Sequence, residues 1–157
     1  MKREVVMAGV LGAVLLGTVV SHAEKWDKNR HANNAIESAF YDVDSIKVVD
    51  RTLSWTEKYI LTGEGAKAVT SQAIKHQVCK DNVAKKGNIA QTQVDMQIEG
   101  QNIRQVAIRH YNKDSALICS EKDMGHEFDA SWKKITPRSP MQQTKNDLIT
   151  KYKVKLP

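Results

Sequence analysis

The sequence predicts an α+β fold: a single antiparallel β-sheet of five to six strands, with a C-terminal helix packed on one face. Three observations carry this. Residues 52–61 alternate, with Leu53, Trp55, Glu57, Tyr59 and Leu61 on one face and Ser54, Thr56, Lys58 and Ile60 on the other, the period of a strand. Residues 89–111 hold two β-rich runs around the turn Glu99-Gly100-Gln101-Asn102, the pattern of a hairpin. Ser139-Pro140-Met141-Gln142 supplies an N-cap serine, a proline at the first helical position and a capping-box glutamine. Met141, Leu148 and Tyr152 then share one helical face.

The elements follow in order. Lys2 and Arg3 precede an apolar run, Val5 to Val20, which ends in Ser21-His22-Ala23. Basic, apolar, then small-x-small reads as a cleavable signal peptide over 1–23, leaving a single domain over 24–157. The apolar run falls short of the ~18 residues of a membrane span. Residues 24–38 are polar and hold Trp26, with an extended path or a short helix around Ala32–Ser38. Phe40 to Val49 is rich in β-formers, bends at Asp42-Val43-Asp44-Ser45, and turns at Asp50-Arg51 into the alternating strand. Thr62 to Ala66 reads as a loop. Lys67 to Val78 is Ala-rich, which permits a helix, but Thr70, Gln72, Ile74, His76 and Val78 alternate, which favours a strand. Lys80 to Asn88 reads as a polar connection. Thr92, Val94, Met96 and Ile98 share one face, as do Val106, Ile108 and His110. A turn at Asn112–Ser115 leads to a short strand, Ala116–Cys119, completing an antiparallel meander.

Lys and Arg number 24 against 18 Asp and Glu, a net charge of +6; without the leader it is about +5. A basic exported surface suits anionic lipid, polysaccharide or acidic proteins, although scattered lysines also read as a solvated surface. Two cysteines in an exported chain read as a disulfide, Cys79–Cys119. Closing a loop of about 40 residues stabilises by about 2–4 kcal/mol.

Catalytic chemistry finds little support. His76, Cys79, Cys119 and His126 have zinc-ligand chemistry, and Cys79 or Cys119 beside His76 or His110 has that of a nucleophile pair. Oxidising export turns both cysteines toward the disulfide instead, and His110 reads as a half-buried sheet residue. No G-x-S-x-G elbow occurs, and Gly63-x-Gly65 lacks the rest of a phosphate loop. Asp42 and Asp44 lack the further oxygen ligands of a calcium loop. No cofactor is expected. Trp55 and Trp132 read as core; Trp26 reads as an exposed anchor. Export and the absence of aromatics among the basic residues argue against nucleic acid.

Phe40-Tyr41-Asp42, Ser45-Ile46-Lys47 and the strand through Trp55 and Lys58-Tyr59 resemble the opening of the surface-adhesin protein E family. Val78-Cys79-Lys80 resembles that family's "YDCK" step, and Trp132-x-x-Ile135-x-Pro137-x-Ser139 its "W-x-P-I-x-P-x-S" segment. The resemblance implies a single antiparallel sheet with helix packed on it, and adhesion to host matrix and serum proteins. It points to Lys47, Arg51, Lys58 and Lys67 as partner-binding candidates, which join Trp26, a candidate from its place in the polar segment 24–38. The family's second cysteine lies at the extreme C-terminus; here it is Cys119, so a disulfide ties different elements. The expectation is an exported, non-catalytic surface or envelope protein, a homodimer being compatible with it. The alternative is a periplasmic structural or stress-related protein with no host ligand.

Overall fold

The computed structural model describes residues 25–154, apart from residues 33 and 76. The leader expected over 1–23 lies outside the described residues, as does His76. Among the described residues eight strands form one sheet: β1 (Trp26–Asn29), β2 (Glu37–Asp42), β3 (Lys47–Val49), β4 (Thr52–Leu61), β5 (Gln91–Glu99), β6 (Asn102–Tyr111), β7 (Leu117–Ser120) and β8 (Lys133–Lys134). The order is β1-β2-β4-β5-β6-β7, every pairing antiparallel. β2 and β3 lie one after the other along the same edge of β4, and β8 pairs with the start of β6. The fold is therefore the expected α+β class with one antiparallel sheet. Six strands make the main path of the sheet, in keeping with the expected five or six, and the short β3 and β8 add to it beside β4 and β6.

The alternation along β4 is seen directly. Leu53, Trp55 and Glu57 are buried, while Ser54, Thr56 and Lys58 are part-exposed. The bend at Asp42 is a 3₁₀ turn over Val43–Ser45, where the Asp42 side chain accepts from the Asp44 amide over 3.1 Å. Two-residue turns close the β3–β4 and β5–β6 hairpins. Asp50 and Gly100 there adopt φ of 54° and 58°, the left-handed region open to Gly and, less readily, to Asp.

Residues 63–86 correct the strand expected over Lys67–Val78 and the polar connection after it. They form α1 (Gly63–Ile74) and α2 (Gln77–Lys86). The expected loop at 62–66 is instead the start of α1, where Thr62 caps the helix through its side chain. Gly65, Thr70 and Ala73 are buried along one side of α1, with Val69 packed beside them. In α2, Cys79 and Val83 are buried, four residues apart. A strand would have placed Thr70, Gln72 and Ile74 together; the helix separates them and buries its small residues against the sheet. Lys85 and Lys86 sit in the last turn of α2, where cations suit the helix dipole. Gly87, at φ 88°, ends it, donating its N–H to Val83 O over 2.8 Å. Residues 34–36 form no helix; the chain bends there and enters β2 at Glu37.

α3 (Glu121–Met124) is a single turn, and α4 (Pro140–Lys151) is the C-terminal helix. Ser139 caps α4 by accepting from the Gln142 amide over 3.2 Å. Leu148 is buried with Tyr41, Leu53, Trp55, Val94, Met96 and Ile98, and Met141 and Tyr152 pack against this cluster. A second cluster joins α1 and α2 to β7 through Ala73, Val83, Ile89, Ile118 and the disulfide Cys79–Cys119, whose Cα atoms are 5.4 Å apart. Both clusters lie on the same side of the sheet as Leu53 and Val94. The helices thus gather on one face, and the alternate residues of the strands look outward.

Candidate partner-binding face

The outward face is built by register. Lys28 pairs with Phe40, Phe40 with Lys58, Lys58 with Gln93, Gln93 with Arg109 and Arg109 with Ser120. Directly paired residues share a face, so these six side chains form one row across six strands. A neighbouring row holds Trp26 opposite Asp42, and Thr56 opposite Asp95 and Ala107. A third holds Lys47, Ser54, Gln97 and Arg104. Apart from Lys28 and Lys47, which are exposed, these residues are part-exposed. Among the described residues no helix lies across them.

Several cations on this face are held in place. The Lys58 ammonium sits 3.7 Å from the centroid of the Trp26 ring, within cation–π range. Arg104 Nε and Nη2 both donate to Gln97 Oε1, over 2.9 and 2.7 Å, and its guanidinium lies 4.5 Å from the Trp132 ring centroid. Arg109 grips Asp95 in a two-pronged pair, Nη1 to Oδ2 over 2.8 Å and Nη2 to Oδ1 over 2.7 Å; Thr56 Oγ1 adds a third donor over 2.8 Å. Partial burial opposes ionisation of Asp95, but the bonds from Arg109 and Thr56 outweigh it and hold the carboxyl below the usual carboxylate range.

Beside this pair the β5–β6 register slips between Asp95 and Met96. The bulge turns Val106 outward, so it does not share the face of Ile108 and His110 as the simple alternation predicted. Val106 instead lines a recess of about 310 Å³ with Ser45, Lys47, Thr56, Asp95 and Gln97.

Trp132 corrects its expected place in the core: it is 39% exposed. β8 is only two residues long, so the segment holding Trp132 lies along the sheet edge rather than beneath it. Trp55 is in the core, as its strand position indicated. Of the partner-binding candidates, Trp26, Lys47 and Lys58 come together on the outward face. Arg51 is exposed at the β3–β4 turn, and Lys67 is exposed on α1, on the helical side. Cys79 and Cys119 are fully buried and paired as a disulfide, and His126 is exposed on a 3₁₀ turn. His110 is buried, its Nδ1 2.9 Å from Thr92 Oγ1.

The helical side holds a polar hub that the motifs did not mark. Glu57 is fully buried. Its Oε1 accepts from Trp55 Nε1 over 3.1 Å and Asn29 Nδ2 over 3.2 Å, and Tyr59 OH bonds to Oε2. Asn29 in turn bonds Thr144 on α4. Burial pushes the Glu57 carboxyl above the usual range, against the pull of these bonds, and burial beside Glu57 raises Tyr59. The available signal was a glutamate on the apolar face of an alternating strand. A cleft of about 360 Å³ also opens between α1 and β6, floored by Val69, Ala73, Ile108 and Met124.

No helix among the described residues is long and apolar enough to cross a membrane. Set against known proteins, the chain matches no family model, no curated protein and no solved structure.

Proposed function

We propose that this chain is an exported, non-catalytic envelope or surface protein that binds a macromolecular partner, such as a host matrix or serum protein, through its outward sheet face. The observation that carries the reading is the cluster of pinned cations and rings on that face, Lys58 on Trp26 and Arg104 on Trp132. Recognition by such a face runs on charge complementarity and ring contact rather than on bond-making chemistry. The signal-like leader and the buried disulfide support export, and the surface-adhesin protein E-like motifs support adhesion.

The test has two parts. Cell fractionation and the mass of the exported protein come first; the expected product begins at Glu24 and reaches the outer surface. Retention on immobilised matrix and serum proteins comes second. Trp26→Ala with Lys47→Glu and Lys58→Glu is expected to abolish retention, while Lys67→Glu on α1 leaves it intact. Confinement to the periplasm with no retention would sink the adhesive reading and leave the structural alternative.

A further inference from the structure

The outward face carries a more specific pattern than a general basic surface. Neighbouring strands lie about 4.8 Å apart, so Lys28, Lys58 and Arg109, each two strands from the next in one row, stand about 10 Å apart along a line across the sheet. Lys47 and Arg104 flank the row. Five cations thus face outward on these strands, against Asp42, Asp95 and, at the hairpin end, Glu99.

Three of the five are fixed by neighbours within the face: Lys58 by Trp26, Arg104 by Gln97 and Trp132, Arg109 by Asp95. A cation already held in position loses little freedom on binding. Between the cations lie amides and hydroxyls, Gln91, Gln93, Gln97, Ser38, Ser54 and Thr56, all part-exposed, with the Phe40 ring between Lys28 and Lys58. Trp26 and Trp132 stand at opposite flanks, on β1 and beside β8. A straight row of cations, two of them held in place, suits a linear polyanion. The carpet of amides and hydroxyls suits one rich in hydroxyl groups, and rings at the flanks suit the apolar face of a sugar. Single-stranded nucleic acid uses several central stacking platforms; here β4 and β5 present no ring outward and β6 presents one, Tyr111, at its end opposite Gln91.

We infer that the outward sheet face binds a linear anionic polysaccharide, laid across the strands along the row Lys28–Lys58–Arg109. This deepens the proposed partner-binding reading and rests on it.

The probes are dextran sulfate, unsulfated dextran and a single-stranded oligonucleotide of matched charge, titrated against the disulfide-bonded mature protein at several salt concentrations. Dextran sulfate is expected to bind, and dextran to bind at least tenfold more weakly. The triple variant Lys28→Gln, Lys58→Gln, Arg104→Gln should make the slope of log affinity against log salt shallower by about 3, about one per cation lost, as for other polyelectrolytes. The control triple Lys67→Gln, Lys80→Gln, Lys85→Gln makes the same charge change on α1 and α2 and should leave the slope unchanged. Equal losses from both triples would mean diffuse net-charge attraction and overturn the inference. So would oligonucleotide binding as tight as that of dextran sulfate. Amide chemical-shift changes on the unmutated protein provide a readout independent of variant folding. Changes confined to β1, β2, β4, β5 and β6 support the site, and changes centred on α1 and α2 overturn it. Retention on matrix proteins without binding to dextran sulfate would overturn this inference while leaving the broader reading standing; loss of both would overturn both.

Discussion

Asn29 and Glu57 lie 28 positions apart in the chain, yet Asn29 Nδ2 donates to Glu57 Oε1 across 3.2 Å at the centre of the core. The same asparagine bonds Thr144 on α4. One amide thereby ties the edge strand β1, the central strand β4 and the C-terminal helix together. A buried polar hub of this kind is costly unless each member is paired.

Removal of the Glu57 side chain should therefore be severe. Glu57→Ala leaves the Trp55 indole N–H, the Asn29 amide and the Tyr59 hydroxyl without their acceptor, and is expected to cost about 3 kcal/mol or more. Glu57→Gln keeps an acceptor for Trp55 and Asn29 and offers Tyr59 a donor, so it should fold. Because burial raises the folded carboxyl above its ordinary value of 4.5, the folded state keeps its proton where the unfolded state has released it. Stability then falls as pH rises from the ordinary value toward the raised one. Urea midpoints of wild type and Glu57→Gln, compared from about pH 4 to 8, should diverge in favour of the glutamine as pH rises. A constant gap would count against a raised Glu57.

The disulfide joins α2 to β7 across a sequence separation of 40 residues. Cys79→Ala with Cys119→Ala is expected to cost about 2–4 kcal/mol, read as a lowered urea midpoint. Denatured wild-type protein should show no free thiol, with or without a chelator. Thiols that appear only on chelation would point to a metal instead.

The three tryptophans should separate in both mutational cost and solvent access. Trp55→Ala opens the centre of the core and is expected to cost about 3–5 kcal/mol. Trp132→Ala removes an exposed ring stacked on Arg104 and should cost no more than about 1 kcal/mol. Acrylamide quenching of the two reciprocal variants checks this: emission should stay accessible with Trp132 present and become largely shielded without it, Trp26 supplying the intermediate signal.

Gly65 sits in the first turn of α1 against Ile36, the residue before β2. A Cβ there would lie 2.2 Å from the backbone oxygen of Ile36, too close to be relieved by a side-chain movement. Gly65→Ala should therefore destabilise despite alanine's better helix propensity, whereas Gly63→Ala, with open space around it, should be neutral or slightly stabilising. Thermal melts of the two variants decide the matter; equal effects would argue that the β2–α1 approach is looser.

Local chemistry alone determined much of this protein. Strict alternation was enough for β4, because each of its faces meets a different environment. Gly100 announced the β5–β6 turn, and Ser139-Pro140 announced α4, because caps and turns act within a few residues. The cysteine pairing needed only the count and the inferred compartment. Residues 63–86 were decided elsewhere. Their period-two pattern is local, but Gly65, Ala73, Cys79 and Val83 gain burial only as two helices laid over the sheet, and that gain outweighs the alternation. The bulge at Val106, the exposure of Trp132 and the joining of Lys28, Lys58 and Arg109 into one row likewise belong to the tertiary structure. Each depends on which strand lies beside which and on which face the helices cover, and strand pairing between distant segments leaves no periodic trace in the chain.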